Sequence, residues 1–331
     1  MAAARPEHYT GTTFRRDELA VPPQTPSYPG HRIAWLPIAL LLLLGTLWGS
    51  TFSISKLAME QGTPPLGYGF WQAAGASAIL ATLCLLRGLR PRLSRRLLIY
   101  FAIAGSLGIA VPTVNFYFVV RHVPAGLMAI LITTAPMITY LMALGLRMER
   151  LSLPRFAGIG LGLAGALCIV LPRGSLPAPE MLPWVLLGFV TPLFYALNAI
   201  YASAARPPDS PSLVLAAGMM LGSACVQLVA AQATGSFYWP GSQPLISDIS
   251  VATQAVISAL AYVTMLELLR IGGPVFFSQV GYIVTLTGIL WGMIFFSESH
   301  SAWLYLATVL VLAGLALVNL KQRQTEPGRR A

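Results

Sequence analysis

Charge is what this chain has least of: Asp, Glu, Lys and Arg together are 10% of its 331 residues, against roughly a quarter in a soluble domain. That scarcity argues against a surface that faces water all round. Cysteine is almost as rare. Cys84, Cys168 and Cys225 all fall inside apolar stretches, so neither a disulfide framework nor a thiolate metal cluster is expected. The four histidines, His8, His31, His122 and His300, lie in the N-terminal segment or at the ends of apolar runs. None has a second soft ligand at mid-run and there is no HExxH, which argues against a metal site. The mid-run serines lack a neighbouring base, so an intramembrane enzyme has no visible constellation. No cofactor is expected.

Abundance lies elsewhere. Hydrophobic residues are 56% of the chain and the mean hydropathy is +0.70. Several apolar runs exceed the ~18 residues needed to cross a bilayer as a helix. They do not alternate as barrel strands would. The fold class expected is an all-α membrane protein, and the spacing predicts ten spans. They cover about 34–57, 65–87, 97–120, 124–146, 154–172, 182–204, 212–233, 250–270, 274–296 and 302–320. Residues 1–32 are polar and Pro-rich and read as a disordered tail, with a second, basic tail at 321–331.

The net charge of +10 could suggest nucleic acid, but the arginines occupy short loops between apolar runs. That is the pattern of membrane topology, and the expected partner is the bilayer. Counted on alternate sides of ten spans, 18 of the 21 basic residues share one side, leaving only Lys56, Arg121 and Arg173 on the other. Both termini are therefore expected in the cytoplasm of a cell with a bacterial inner membrane or its equivalent.

The chain also echoes itself. Residues 147–167 align with 295–317; Glu149 falls on Glu298 and Leu163-Ala164-Gly165 on Leu312-Ala313-Gly314, both at a spacing of 149. Each repeat, 33–173 and 182–320, would hold five spans. Five is odd, so the second copy would enter the membrane inverted. Two opposed halves can exchange conformations, which is what alternating access requires.

Residues 47–58, "LWGSTFSISKLA", Pro136 thirteen positions before Glu149, and the related ends of spans five and ten together resemble the EamA-type branch of the drug/metabolite transporter superfamily. The resemblance implies ten helices in two inverted five-helix repeats (5+5). It implies secondary transport, often export, of an amino acid or related small amphipathic solute. Gln72 stands where many members carry Arg, which makes an anionic solute less expected; Thr285 stands where the second repeat often has Pro.

Polar groups in lipid are costly and face the interior or a wet cavity. The candidate solute-binding set is Trp48, Ser50, Trp71, Gln72, Asn115, Tyr117, Thr134, Tyr195, Asn198, Gln279 and Tyr282, several of them beside Pro112, Pro136 or Pro192. A proline frees a backbone carbonyl for recognition. Each of these residues could instead serve interhelical hydrogen bonding. Lys56 reads either as a coupling charge or as a lysine snorkelling to the interface. Glu267 reads either as a coupling carboxylate or as a local ion pair with Arg270. Glu149 and Glu298 read as linker and cap residues. Gly158, Gly162 and Ala166 form a small-residue stripe that would suit a homodimer face or packing within the chain. A channel, or a receptor or scaffold without transport, is the alternative to the transporter.

Overall fold

The computed structural model describes residues 35–89, 93–149, 151–172, 176–208 and 210–319. The two expected tails, 1–32 and 321–331, lie outside the described residues. Among those described, every regular element is helical and there is no strand.

Helix α1 (Trp35–Glu60) and α2 (Pro65–Leu86) are continuous. The third apolar segment is built in pieces. Helix α3 (Arg95–Gly105), one turn of π-helix (Ser106–Ala110) and α4 (Val111–Val120) follow one another, and Pro112 explains the break. It has no N–H for the ladder, and the widened turn absorbs the lost bond. The fourth segment divides at Thr133 and Thr134 into α5 (Ala125–Ile132) and α6 (Ala135–Gly145). Here Pro136 removes the partner of the Ile132 carbonyl. Helix α7 (Leu153–Val170) follows. Pro192 acts likewise between α8 (Leu182–Gly188) and α9 (Val190–Ala205).

Helix α10 (Ser212–Ala233) is unbroken. Helix α11 (Leu245–Phe277) is interrupted at Gly273, where φ is 72° and ψ 173°. Only a residue without Cβ adopts that backbone without strain. Helices α12 (Val280–Phe296) and α13 (Ala302–Val318) complete the chain.

Eight of these segments are long and apolar enough to cross a membrane, and α12 and α13 are shorter apolar helices. The protein is therefore a multi-pass helical membrane protein. Large apolar side chains such as Leu42, Leu85, Leu163, Val229, Leu286 and Val309 lie exposed on the outer surface, as expected of a surface that faces lipid rather than water.

Packing joins the first half to the second. α7 lies along α13, α2 along α10, α1 along α11 and α12, and α6 along α9. The α7–α13 contact is backbone to backbone: a Cβ on Gly158 would stand 2.7 Å from the Gly314 carbonyl, and one on Gly162 would collide with Met137. The Gly158–Gly162 stripe is thus buried inside the chain, which meets the second of its two expected uses.

Candidate functional site

At the end of the molecule where α1 finishes, charge ties α1 to the segment after α12. Lys56 is buried near the end of α1, with its side chain only 10% exposed, so it does not snorkel to the surface. Its ammonium donates to Glu298 Oε1 at 2.7 Å and lies 4.6 Å from the centre of the Phe296 ring. Glu60, four residues on, is 3.9 Å from the same nitrogen and far more exposed.

Glu298 reaches this position because Ser297 takes a left-handed turn, φ 50°, directly after α12. Its carboxylate then accepts from the backbone N–H of Ala125 at 2.7 Å and of Gly126 at 3.1 Å. It caps α5, a helix of the other half, where the positive end of the helix dipole adds to the attraction. The cap role expected for Glu298 is real, but it acts across the chain and carries a buried ion pair with it. The cap of its own following helix falls to Ser301, whose Oγ accepts from Leu304 N–H. Aromatic rings thicken the same end. Trp71 packs with Phe70, Phe237 and Trp239, and its indole N–H donates to the Tyr238 carbonyl at 2.9 Å.

Beneath this end a polar spine runs down α11. Ser247, Ser250, Gln254 and Ser258 recur at helical spacing and meet α1, α2 and the turn between them. Ser247 bonds Thr63, Ser250 bonds both Tyr68 and the Ile54 carbonyl, Gln254 donates to Ser55, and Gln72 donates to Ser258. Tyr117 stacks edge-on against Tyr68, ring centres 4.9 Å apart. The side-chain carbonyl oxygens of Gln72 and Gln254 are buried without a hydrogen-bond partner among the described residues, as is that of Asn198 on α9.

Toward the opposite end a cavity of about 550 Å³ lies against α6, α7, α9 and α13, lined by Pro136, Thr139, Tyr140, Tyr195, Ala199 and Ser278 together with Glu149 and Arg155. Those two form an exposed ion pair at 3.2 Å, while the Tyr140 hydroxyl accepts from Ser152 N–H. A volume of this size suits a small organic solute.

Residues 35–171 match the EamA-like transporter family. Relatives extend the likeness beyond that stretch. The inner membrane transporter YedA of Escherichia coli (strain K12) is 26% identical over 290 residues, 85% of this chain and 89% of that protein. A WAT1-related protein of Arabidopsis thaliana is 23% identical over 41% of this chain and 38% of its own length. A solved crystal structure matches 86% of this chain at a TM-score of 0.56 and covers 95% of its own, with 18% identity, so it speaks for the fold alone. Over most of its described length the chain is thus similar to membrane transporters, and over residues 35–171 to the EamA-like transporter family.

Within residues 35–171 the sequence-predicted residues are dispersed. Gln72 and Tyr117 stand on the polar spine and Trp71 in the aromatic cap. Trp48 lies edge-on to Phe277, and Ser50 turns its hydroxyl back to the Leu47 carbonyl. Asn115 spends both amide hydrogens on α8 and α9, donating to the Leu187 carbonyl at 3.0 Å and Thr191 Oγ1 at 2.9 Å. Thr134 bonds the Leu131 carbonyl, and neighbouring Thr133 meets Thr285 across the halves.

Beyond residue 171, Tyr195 lines the cavity. Asn198 packs at Gly108 in the π-turn, Gln279 lies immediately before α12, and Tyr282 is partly buried against the main core. Glu267 pairs with Arg270 on an exposed face, Oε2 to Nε at 2.9 Å, so the local ion pair is what the structure contains. The reading of residue types missed Ser55, Tyr68, Ser247, Ser250, Gln254 and Ser258. The recurrence of polar residues at 247, 250, 254 and 258, spaced as one helix face, was the signal available.

Proposed function

We propose that this protein is a secondary transporter, working as an exporter, that moves a small amphipathic solute such as an amino acid by alternating access. The observation that carries the reading is the asymmetry of the two ends. A solute-sized cavity opens at the Glu149 end, while the Lys56–Glu298 pair and the aromatic rings close the other. With most arginines at the Glu149 end, the positive-inside rule puts that end, and both termini, in the cytoplasm. The conformation is then inward-open.

The finer architecture belongs to the same proposal: ten spans in two inverted repeats, 33–173 and 182–320. The pairing of α7 with α13 and of α2 with α10 supports it, because each joins corresponding spans of the two repeats. Exchanging the conformations of the halves would close the cytoplasmic cavity and break the Lys56–Glu298 clamp. A continuous channel fits poorly with an ion pair and a helix cap sealing one end.

The cavity wall is mostly apolar with a few hydroxyls, and among the described residues its charges are the paired Glu149 and Arg155, which favours a neutral or zwitterionic amphipathic solute over a net anion. Tyr195 and Ser278 are the proposed first contacts. The remaining predicted residues, with the unpartnered amide oxygens of Gln72, Gln254 and Asn198, would accept donors from the solute as it passes between the halves. A bound solute stabilises the state that binds it. Purified protein screened by thermal shift against amino acids, amines, nucleosides and sugars should therefore rise in Tm with amino acids. Tyr195→Ala should weaken that binding about tenfold, about 1.4 kcal/mol, with folding intact. A full-strength response in Tyr195→Ala would remove the cavity from the proposal.

A further inference from the structure

We propose that His300 is a proton-binding site that opens the Glu298 end: its protonation transfers Glu298 from Lys56 to the imidazole. The inference rests on the transport reading only in treating that end as a gate.

His300 sits in the loop between α12 and α13, two residues after Glu298. Its side chain is 2% exposed, and Nε2 lies 4.0 Å from Glu298 Oε2. That nitrogen has no hydrogen-bond partner among the described residues, an arrangement that costs about 1–3 kcal/mol when nothing is gained by it. The ring faces a cavity of about 270 Å³ lined by Pro124, Leu127, Pro177, Ser299 and Leu304. At ~30 Å³ per water, the space could admit several waters and hence protons from that side.

The charges around the imidazole make its protonation consequential. Helix α1 presents Lys56 and, beyond it, Glu60; α5 presents its amide end at Gly126; the loop presents Glu298; α13 presents the Tyr305 ring, 6.2 Å away. His122, at the end of α4, is instead stacked on Trp184 at 3.6 Å. One buried carboxylate therefore serves one ammonium and one helix terminus. A proton on Nε2 adds a second full positive charge beside Lys56. The carboxylate then closes the remaining distance to the imidazolium, and Lys56 swings to Glu60, already 3.9 Å away on its own helix and open to water. The ammonium keeps its protons throughout; the single proton moved comes from water on the Glu298 side. Once Lys56 leaves, α1 is no longer tied to the α12–α13 loop.

The direction with pH follows. Burial holds His300 below its ordinary value of 6.5, Glu298 pulls it back up, and Lys56 pushes it down again. In the opened end, with water around it and Lys56 gone, the imidazole regains its proton affinity. The open form thus binds the proton more tightly. The closed form is favoured above about pH 6.5 and lost as pH falls.

The test needs no solute. Spin labels at Gln61→Cys and Ala302→Cys, with Cys84, Cys168 and Cys225 changed to Ala, report the α1-to-α13 distance in nanodiscs between pH 8 and pH 5. Acidification should add a longer distance population in the otherwise native protein, and H300Q should abolish that response. As a second reading, the histidine ring signals in 15N NMR should show His300 titrating at higher pH in K56M. A distance that does not change with pH, an H300Q protein that opens as the parent does, or a His300 midpoint indifferent to K56M would each overturn the proposal. Acid opening in a protein that moves no solute would instead overturn the transport reading and leave the proton site standing.

Discussion

At the scale of single residues, Lys56 and Glu298 form a buried ion pair. Buried ions lose hydration worth several kcal/mol each, so removing one partner leaves the other uncompensated. K56M is predicted to destabilise the protein by about 3–5 kcal/mol. Adding E298Q should recover part of that loss, since no bare charge remains, although the α5 amides then keep only a neutral acceptor. Unfolding of both variants in mixed micelles measures the non-additivity. Asn115 belongs to the same scale. Because both its amide hydrogens bond α8 and α9, Asn115→Ala should lower stability by about 1–3 kcal/mol as well as impair transport. Tyr195→Ala, at a residue that lines the cavity, should impair binding alone.

At the scale of elements, the prolines divide helices where recognition and motion are needed. Pro136 leaves α5 and α6 meeting at Thr133 and Thr134, whose hydroxyls bond the Ala129 and Leu131 carbonyls. Pro136→Ala would restore the ladder bond to Ile132. It should slow turnover in proteoliposomes by more than it weakens the thermal shift from bound solute. Helix positions were readable from the sequence because a span is specified by length and apolarity: α10 occupies Ser212–Ala233, the stretch expected. The π-turn and the left-handed Gly273 were not readable. They express a local compromise between proline, glycine and neighbouring backbone rather than hydropathy. Gly158 and Gly162 were visible as a stripe, yet their partner α13 was one choice of two, since small residues suit any close helix.

At the scale of the whole molecule, 242 residues separate Lys56 from Glu298, and no local pattern announces that they touch. From the sequence Lys56 reads as a coupling charge or a snorkelling lysine and Glu298 as a linker and cap residue; bringing α1 to α12 buries the lysine and turns the cap onto α5. The same holds for the spine, where Ser250, Gln254 and Ser258 acquire meaning only against α1 and α2. On the proposed reading, two opposed halves with one end closed would make solute entry and exit separate events on one bound site. Counterflow in proteoliposomes asks this directly. Vesicles preloaded with unlabelled amino acids and diluted into radiolabelled ones should show a transient overshoot of label. Equilibration without overshoot, or no uptake above protein-free vesicles, would contradict alternating access by this protein.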